Sequence, residues 1–226
     1  MTQIELAVLD MAGTTVSDDG AVERAFVTAA RHVGLAADDA DLDRMMTYVR
    51  DTMGQSKITV FTHLAGGDAR IARQANTAFE AAYAEGVTAS GCMPLPGTIE
   101  SFARLRATGV KIALTTGFSR TTADTILDAL GWHALIDVSL TPLDAGRGRP
   151  FPDLPLTALL RTEASSVRAM AVVGDTTWDV ESGLRAGARI AAGVLTGAHD
   201  AERLTAAGAT AVFADVQAFT DAVLAT

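Results

Sequence analysis

Residues Leu6–Val16 read LAVLDMAGTTV, an apolar run that stops on an aspartate and breaks at once into Gly-Thr-Thr. A run of aliphatic and β-branched residues ended by turn residues predicts a buried strand, with Asp10 at its C-terminal end. In open α/β sheets that end of the strand is where ligands bind. The chain around it supports such a sheet. From about Ser17 to Cys92 the pattern is helical, in four segments: AVERAFVTAARHVG, DDADLDRMMTYVRDT, SKITVFTHLAGG and DARIARQANTAFEAAYAEG, the last two stopped by Gly66-Gly67 and Gly86. The break GCMPLPG, with Pro94 and Pro96, returns the chain to a different regime. Apolar runs (VKIALTT, IDVSL, RAMAVVGD, RIAAGVL, TAVFA) then alternate with helical stretches. Such alternation implies right-handed βαβ units and a parallel sheet covered on both faces. The predicted fold is therefore a doubly wound α/β core, residues 1–16 and 93–226, with a helical cap, 17–92, inserted after the first strand.

Composition narrows the function classes. The 226 residues carry 18 basic and 27 acidic side chains, a net charge of -9, which argues against nucleic acid or an anionic membrane as partner. No run approaches the roughly 18 apolar residues of a membrane span. The start MTQIELAVLD has no basic leader, and Cys92, the single cysteine, permits no internal disulfide. These features predict a cytoplasmic protein in which Cys92 is a buried small apolar residue.

Four polar clusters fall at predicted strand ends: Asp10 with Thr14 and Thr15, Thr115-Thr116-Gly117, the loop GRGRPFPD, and Gly174-Asp175 with Asp179. Each alone is ordinary turn chemistry. Together, on one edge of a parallel sheet, they supply a nucleophile, metal-binding carboxylates, a hydroxyl and a cation, the parts needed for phosphoryl transfer.

The ordered motifs DxxGTT, an apolar run ending Thr-Thr-Gly, an Arg-Pro loop and an apolar run ending GDTxxD resemble the haloacid dehalogenase superfamily of aspartyl-nucleophile hydrolases across essentially the whole chain. The resemblance implies Asp10 as nucleophile, with Thr116 and Arg149 holding phosphoryl oxygens. It implies Mg²⁺ on Asp10, Asp175 and the Ala12 carbonyl, with Asp179 either on the metal or directly behind it. Magnesium suits such an oxygen set. Arg149 stands where the superfamily commonly has lysine, and Arg147 in the same loop is an alternative.

Ala12 stands where phosphatase branches place a second aspartate that protonates the leaving alkoxide, help worth roughly 10²–10⁴-fold. DMAGTTV resembles instead the phosphonatase branch, which hydrolyses the carbon–phosphorus bond of phosphonoacetaldehyde. A departing carbanion needs an electron sink, and a lysine condensed with the neighbouring aldehyde provides one. Lys57 and Lys111 are the only lysines, and Lys111 opens a strand at the end away from the predicted site. Lys57, preceded by Met53 and Gly54, matches the branch's cap-loop pattern of Met-Gly, two residues and the Schiff-base lysine. With Gly117, Met53 and Gly54 are the expected substrate contacts. Two departures stand out: Val60 replaces a histidine frequent three residues after the lysine, and Phe118 replaces a familiar tyrosine. His63 is a candidate substitute, and an apolar pocket that lowers the lysine's pKa is another route to a neutral amine. The resemblance further implies a homodimer. A phosphate monoester as substrate, or a non-catalytic phospho-metabolite sensor, are the competing expectations. Trp178, beside the metal loop, is expected to be a packing residue.

Overall fold

The computed structural model describes residues 3–226. β1 is the quoted strand, Leu6–Asp10, and all five of its residues are buried, as a strand covered on both faces must be. Four helices come next: α1 (Ala21–His32), α2 (Asp39–Asp51), α3 (Lys57–Leu64) and α4 (Ala69–Ser90). The remainder alternates: α5 (Thr98–Ala107), β2 (Lys111–Thr115), α6 (Arg120–Leu130), β3 (Val138–Leu140), α7 (Pro142–Ala145), α8 (Asp153–Thr162), β4 (Met170–Gly174), α9 (Thr177–Arg185), β5 (Ile190–Val194), α10 (Ala201–Ala206), β6 (Ala211–Phe213) and α11 (Val216–Leu224).

The six strands form one parallel sheet in the order β3-β2-β1-β4-β5-β6. The chain winds outward from β1 to β3, returns to β4 on β1's other side, and winds outward again. The reversal leaves a crevice beyond the carboxyl ends of β1 and β4, the topological switch point of such sheets. The register sets Asp10 opposite Thr115 on β2 and Leu9 opposite Val173 on β4.

The helical insertion leaves and rejoins the sheet layer at adjacent points. Val16 bridges Pro94, and the Ser17 amide donates to the Met93 carbonyl. Inside the insertion Phe26 packs on Phe61 and Phe79, with ring centroids 4.8 and 4.7 Å apart. Phe79 and Tyr83 continue onto Phe118, located just after β2, so one apolar cluster runs from the insertion into the sheet layer.

Four local expectations need correction. α4 does not stop at Gly86 but runs to Ser90, carrying Val87 into the core one turn after buried Tyr83. That burial offsets the roughly 1 kcal/mol cost of a mid-helix glycine. α7 is an additional short helix, started by Pro142 and closed by a reciprocal Thr141–Asp144 capping box. β3 takes in only the end of IDVSL: at Asp137 the side chain, rather than a backbone carbonyl, accepts from the Ile112 amide. Cys92 is half-buried rather than buried.

Candidate active site

The crevice is built by the loops at the carboxyl ends of β1, β2, β4 and β5. Gly174 ends β4, and Asp175 after it is held by the Ala198 amide (2.7 Å) and more loosely by the Thr14 hydroxyl (3.3 Å). Two turns close around it. A Cβ on Gly13, where φ is +87°, would lie 2.6 Å from the Asp175 carboxylate, and one on Gly197 would overlap it. Thr116 directly succeeds β2 and its hydroxyl accepts from the Phe118 amide (3.2 Å). Thr115 instead accepts from Arg149 (3.1 Å).

Arg149 is only 7% exposed. Its Nη2 donates to Asp10, its Nε pairs with Asp179 at 2.8 Å, and its Nη1 reaches the Gly54 carbonyl of the insertion at 3.4 Å. A planar guanidinium can span three such partners; an ammonium cannot. The alternative, Arg147, is exposed, makes two 2.8 Å bonds to Asp153 and stacks on Phe151. The structure thus separates two arginines that the sequence left as rivals.

Burial pushes the Asp10 carboxyl up to about 8, against the pull of Arg149 and with help from the charges of Asp179 and Asp175. Burial and Asp179 likewise push Asp175 up to about 6. Two crowded carboxylates that resist ionisation are a site short of positive charge. Ala12 lines the same cavity, and the Ala12–Val16 bridge is made by Met11 and Gly13, so neither of its bonds uses the Ala12 carbonyl. An all-oxygen set of two carboxylates and a carbonyl fits Mg²⁺, which keeps several waters and needs only one or two carboxylates. Among the described residues no group of three His, Cys, Asp or Glu side chains could hold a metal. Asp179 accounts for this. Its Oδ2 accepts from the Thr176 amide and hydroxyl, capping α9, and its Oδ1 holds Arg149. It therefore stands behind the carboxylate pair, positioning Arg149.

The signs of these shifts give a test for the metal. Raised folded-state pKa values mean that stability is lost as pH climbs from the ordinary carboxylate range through about 6 and about 8. A divalent cation reverses that loss. At about a hundred times Kd, Mg²⁺ adds about 2.7 kcal/mol, hence about 5–10 °C in melting temperature at pH 8, and less at pH 5 where protons compete. Thermal melts in Mg²⁺ and in EDTA check this; equal melts at pH 8 would remove the metal from the site.

Lys57 comes from the insertion. It opens α3 and is 8% exposed, with Nζ 5.7 Å from the Phe26 ring centroid, 5.9 Å from Phe79 and 5.3 Å from Phe118. Burial lowers its pKa to about 8, opposed by Asp18 and Asp10. The apolar pocket considered from the sequence is thus present, and Phe118 is one of its walls. Val60 is core, while His63 is exposed and stacked on Tyr48 at 4.0 Å, serving packing of the insertion. Lys111 pairs with Asp137 at the far end of its strand.

With the exception of Asp179, every residue that the sequence assigned to the site lines one cavity of about 300 Å³, Met53, Gly54 and Gly117 included. The insertion meets the sheet layer there with almost no clearance. A Cβ on Gly117 would lie 2.8 Å from the Gln55 carbonyl, and one on Gly54 (φ +95°) would overlap the Thr176 hydroxyl. Sequence reasoning missed Thr196-Gly197-Ala198, whose signal was a glycine one residue past a strand's turn, and Asp18, which had none. Trp178 is half-buried, with a buried indole N–H that has no hydrogen-bond partner among the described residues.

A family model for haloacid dehalogenase-like hydrolases matches residues 4–187. The chain belongs to that family. It is similar to "Probable phosphatase IndB" of Dickeya dadantii, 28% identical over 207 residues, covering 89% of this chain and 86% of that one. It is also similar to a phosphonoacetaldehyde hydrolase of Hahella chejuensis, 36% identical over 97 residues, a match spanning 42% of this chain and only 32% of the relative. Among solved structures, a phosphonoacetaldehyde hydrolase-like protein from Oleispira antarctica superposes with a TM-score of 0.81 at 25% identity, covering 98% of this chain and 92% of that one. This family membership makes the chain a hydrolase. No helix among the described residues is long and apolar enough to cross a membrane.

Proposed function

We propose that this hydrolase cleaves the carbon–phosphorus bond of phosphonoacetaldehyde or a closely related aldehyde phosphonate, with Mg²⁺ as cofactor. The observation that carries the proposal is Lys57. A buried amine, whose burial among three aromatic rings lowers its pKa to about 8, lines the same cavity as Asp10, where position 12 offers no acid to a leaving alkoxide.

The neutral Lys57 amine adds to the substrate aldehyde, and loss of water leaves a protonated imine. Asp10 attacks phosphorus; the carbon–phosphorus electron pair moves into the imine, giving an enamine and an aspartyl phosphate. One water hydrolyses the aspartyl phosphate and frees phosphate. Protonation of the enamine carbon and a second water release acetaldehyde and restore Lys57. Thr116 and Arg149 hold the phosphoryl oxygens, and Asp179 fixes Arg149. Bound to Asp10, Asp175 and the Ala12 carbonyl, Mg²⁺ would offset repulsion between the nucleophile and its anionic target. The small phosphonate, the homodimer and the cytoplasmic setting implied by the resemblance belong to the same proposal.

A second reading, hydrolysis of a small phosphate monoester with Lys57 only gripping the anion, is favoured by the Dickeya relative's name and its long match. Mass spectrometry of products from phosphonoacetaldehyde and from a panel of phosphate monoesters separates the two. Acetaldehyde with phosphate from the former supports carbon–phosphorus cleavage; turnover of esters alone supports the second.

Arg149→Lys tests the phosphoryl clamp. Since one ammonium cannot replace the bridging guanidinium, kcat/KM is expected to fall about 10²-fold, the scale of one lost transition-state donor. An unchanged value would take Arg149 out of that role.

A further inference from the structure

Imine formation needs a group that carries protons between nitrogen and oxygen, and Val60, three residues after Lys57, is an aliphatic core residue that cannot do so. Five carboxylates line the cavity: Asp10, Asp18, Asp19, Glu23 and Asp175. Asp10 and Asp175 are committed to phosphorus and metal. Glu23 is held through both oxygens by Arg50 at 2.8–3.2 Å. Asp19 is exposed, its carbonyl taken by Arg24. Asp18 is half-buried, and its Oδ1 accepts from the Val22 amide (3.1 Å), which fixes the carboxylate one turn before Phe26 of the lysine's aromatic wall.

We propose that Asp18 is the proton carrier of imine formation on Lys57, a role that rests on the carbon–phosphorus chemistry proposed above. The Asp18 carboxylate takes a proton from the Lys57 ammonium, freeing the amine to form its bond with the carbonyl carbon. The carboxyl then gives its proton to the resulting alkoxide and takes one from the new nitrogen. It finally protonates the carbinolamine hydroxyl; the C–O bond breaks, water leaves, and the nitrogen lone pair closes the C=N⁺ bond. Asp18 ends as the carboxylate it was, and the lysine's positive charge ends on the iminium.

The electrostatics agree with that placement. Asp18 exerts the strongest upward pull on Lys57 of any carboxylate, ahead of Asp10 and Asp175. Burial raises Asp18 itself, bringing acid and amine toward each other as proton transfer requires. The other groups facing Asp18 are Arg24, the Tyr83 hydroxyl and the Cys92 thiol; burial pushes both of the latter upward, Cys92 to about 11, so neither competes as a base.

The test is the rate at which phosphonoacetaldehyde and cyanoborohydride fix a reduced adduct on Lys57, monitored by peptide mass spectrometry across pH. Wild type is expected to trap, Asp18→Asn to trap about 10²-fold more slowly with its acid limb lost, and Asp18→Glu to recover much of the rate. The Asn oxygen can still accept from Val22; should that variant unfold, Asp18→Ser keeps a helix-capping oxygen and removes the carboxyl. Melting temperature and inorganic phosphate binding verify folding. A wild-type trapping rate and pH profile in folded Asp18→Asn or Asp18→Ser overturns the role of Asp18 alone. Absence of any adduct in wild type overturns the carbon–phosphorus proposal, and the role of Asp18 with it.

Discussion

Asp10→Asn is expected to lower turnover by about four orders of magnitude or more, the scale on which loss of a covalent nucleophile acts. The amide is not a nucleophile toward phosphorus, and it is a poor ligand for a hard cation. It can still accept from Arg149 through its oxygen, and Arg149 keeps Asp179 as an ionic partner, so the fold should persist. Burying an amide in place of a reluctant carboxylate also removes a desolvated charge, so the melting temperature without metal should hold or rise. Steady-state phosphate release and thermal melts measure the two effects. Activity above a tenth of wild type would take Asp10 out of the nucleophilic role.

Lys57→Arg is the second large effect. Arginine keeps the charge but cannot condense with a carbonyl, so hydrolysis of phosphonoacetaldehyde should fall by about three orders of magnitude or more. Cleavage of phosphate esters, which needs no imine, should fall far less. Ala12→Asp should shift the two substrates the other way, helping alkoxide departure by up to about 10²-fold where its carboxyl reaches the leaving oxygen, and giving the phosphonate nothing. Four rates, two substrates in two variants, discriminate: the imine mechanism requires opposite responses. Full phosphonoacetaldehyde hydrolysis by Lys57→Arg would favour the phosphatase reading. The wild-type rate carries a further sign. Burial lowers Lys57 to about 8, so only about a tenth is neutral at pH 7, and imine formation should climb steeply from pH 7 to 8.

The sheet was legible because its strands are buried on both faces and so read as unbroken apolar runs between turn residues; Leu6–Asp10 and Met170–Gly174 are the clearest. α7 was not, since four residues give no helical period and its determinants are Pro142 and a capping pair. Gly86 misled because the propensity of one glycine is weak against the burial of Val87. At the site, Asp10, Thr116 and Asp175 were visible through their position after strands. Arg149 was preferred to Arg147 through the resemblance alone, because both share a loop and only tertiary structure sends one to Asp153 and the other inward. The rings around Lys57 lie at positions 26, 79 and 118, a spacing that carries no pattern until the chain is folded.

Those rings belong to two layers: Phe26 and Phe79 to the insertion, Phe118 to the sheet side. An amine walled by both loses its proton more readily than a solvated lysine only while the layers touch, and any parting that admits water returns it toward the ordinary ammonium. Reactivity is thereby tied to enclosure. Were the layers to part, the nitrogen would revert to an ordinary solvated cation, so the contact that holds the insertion to the sheet side also sets how readily the amine gives up its proton.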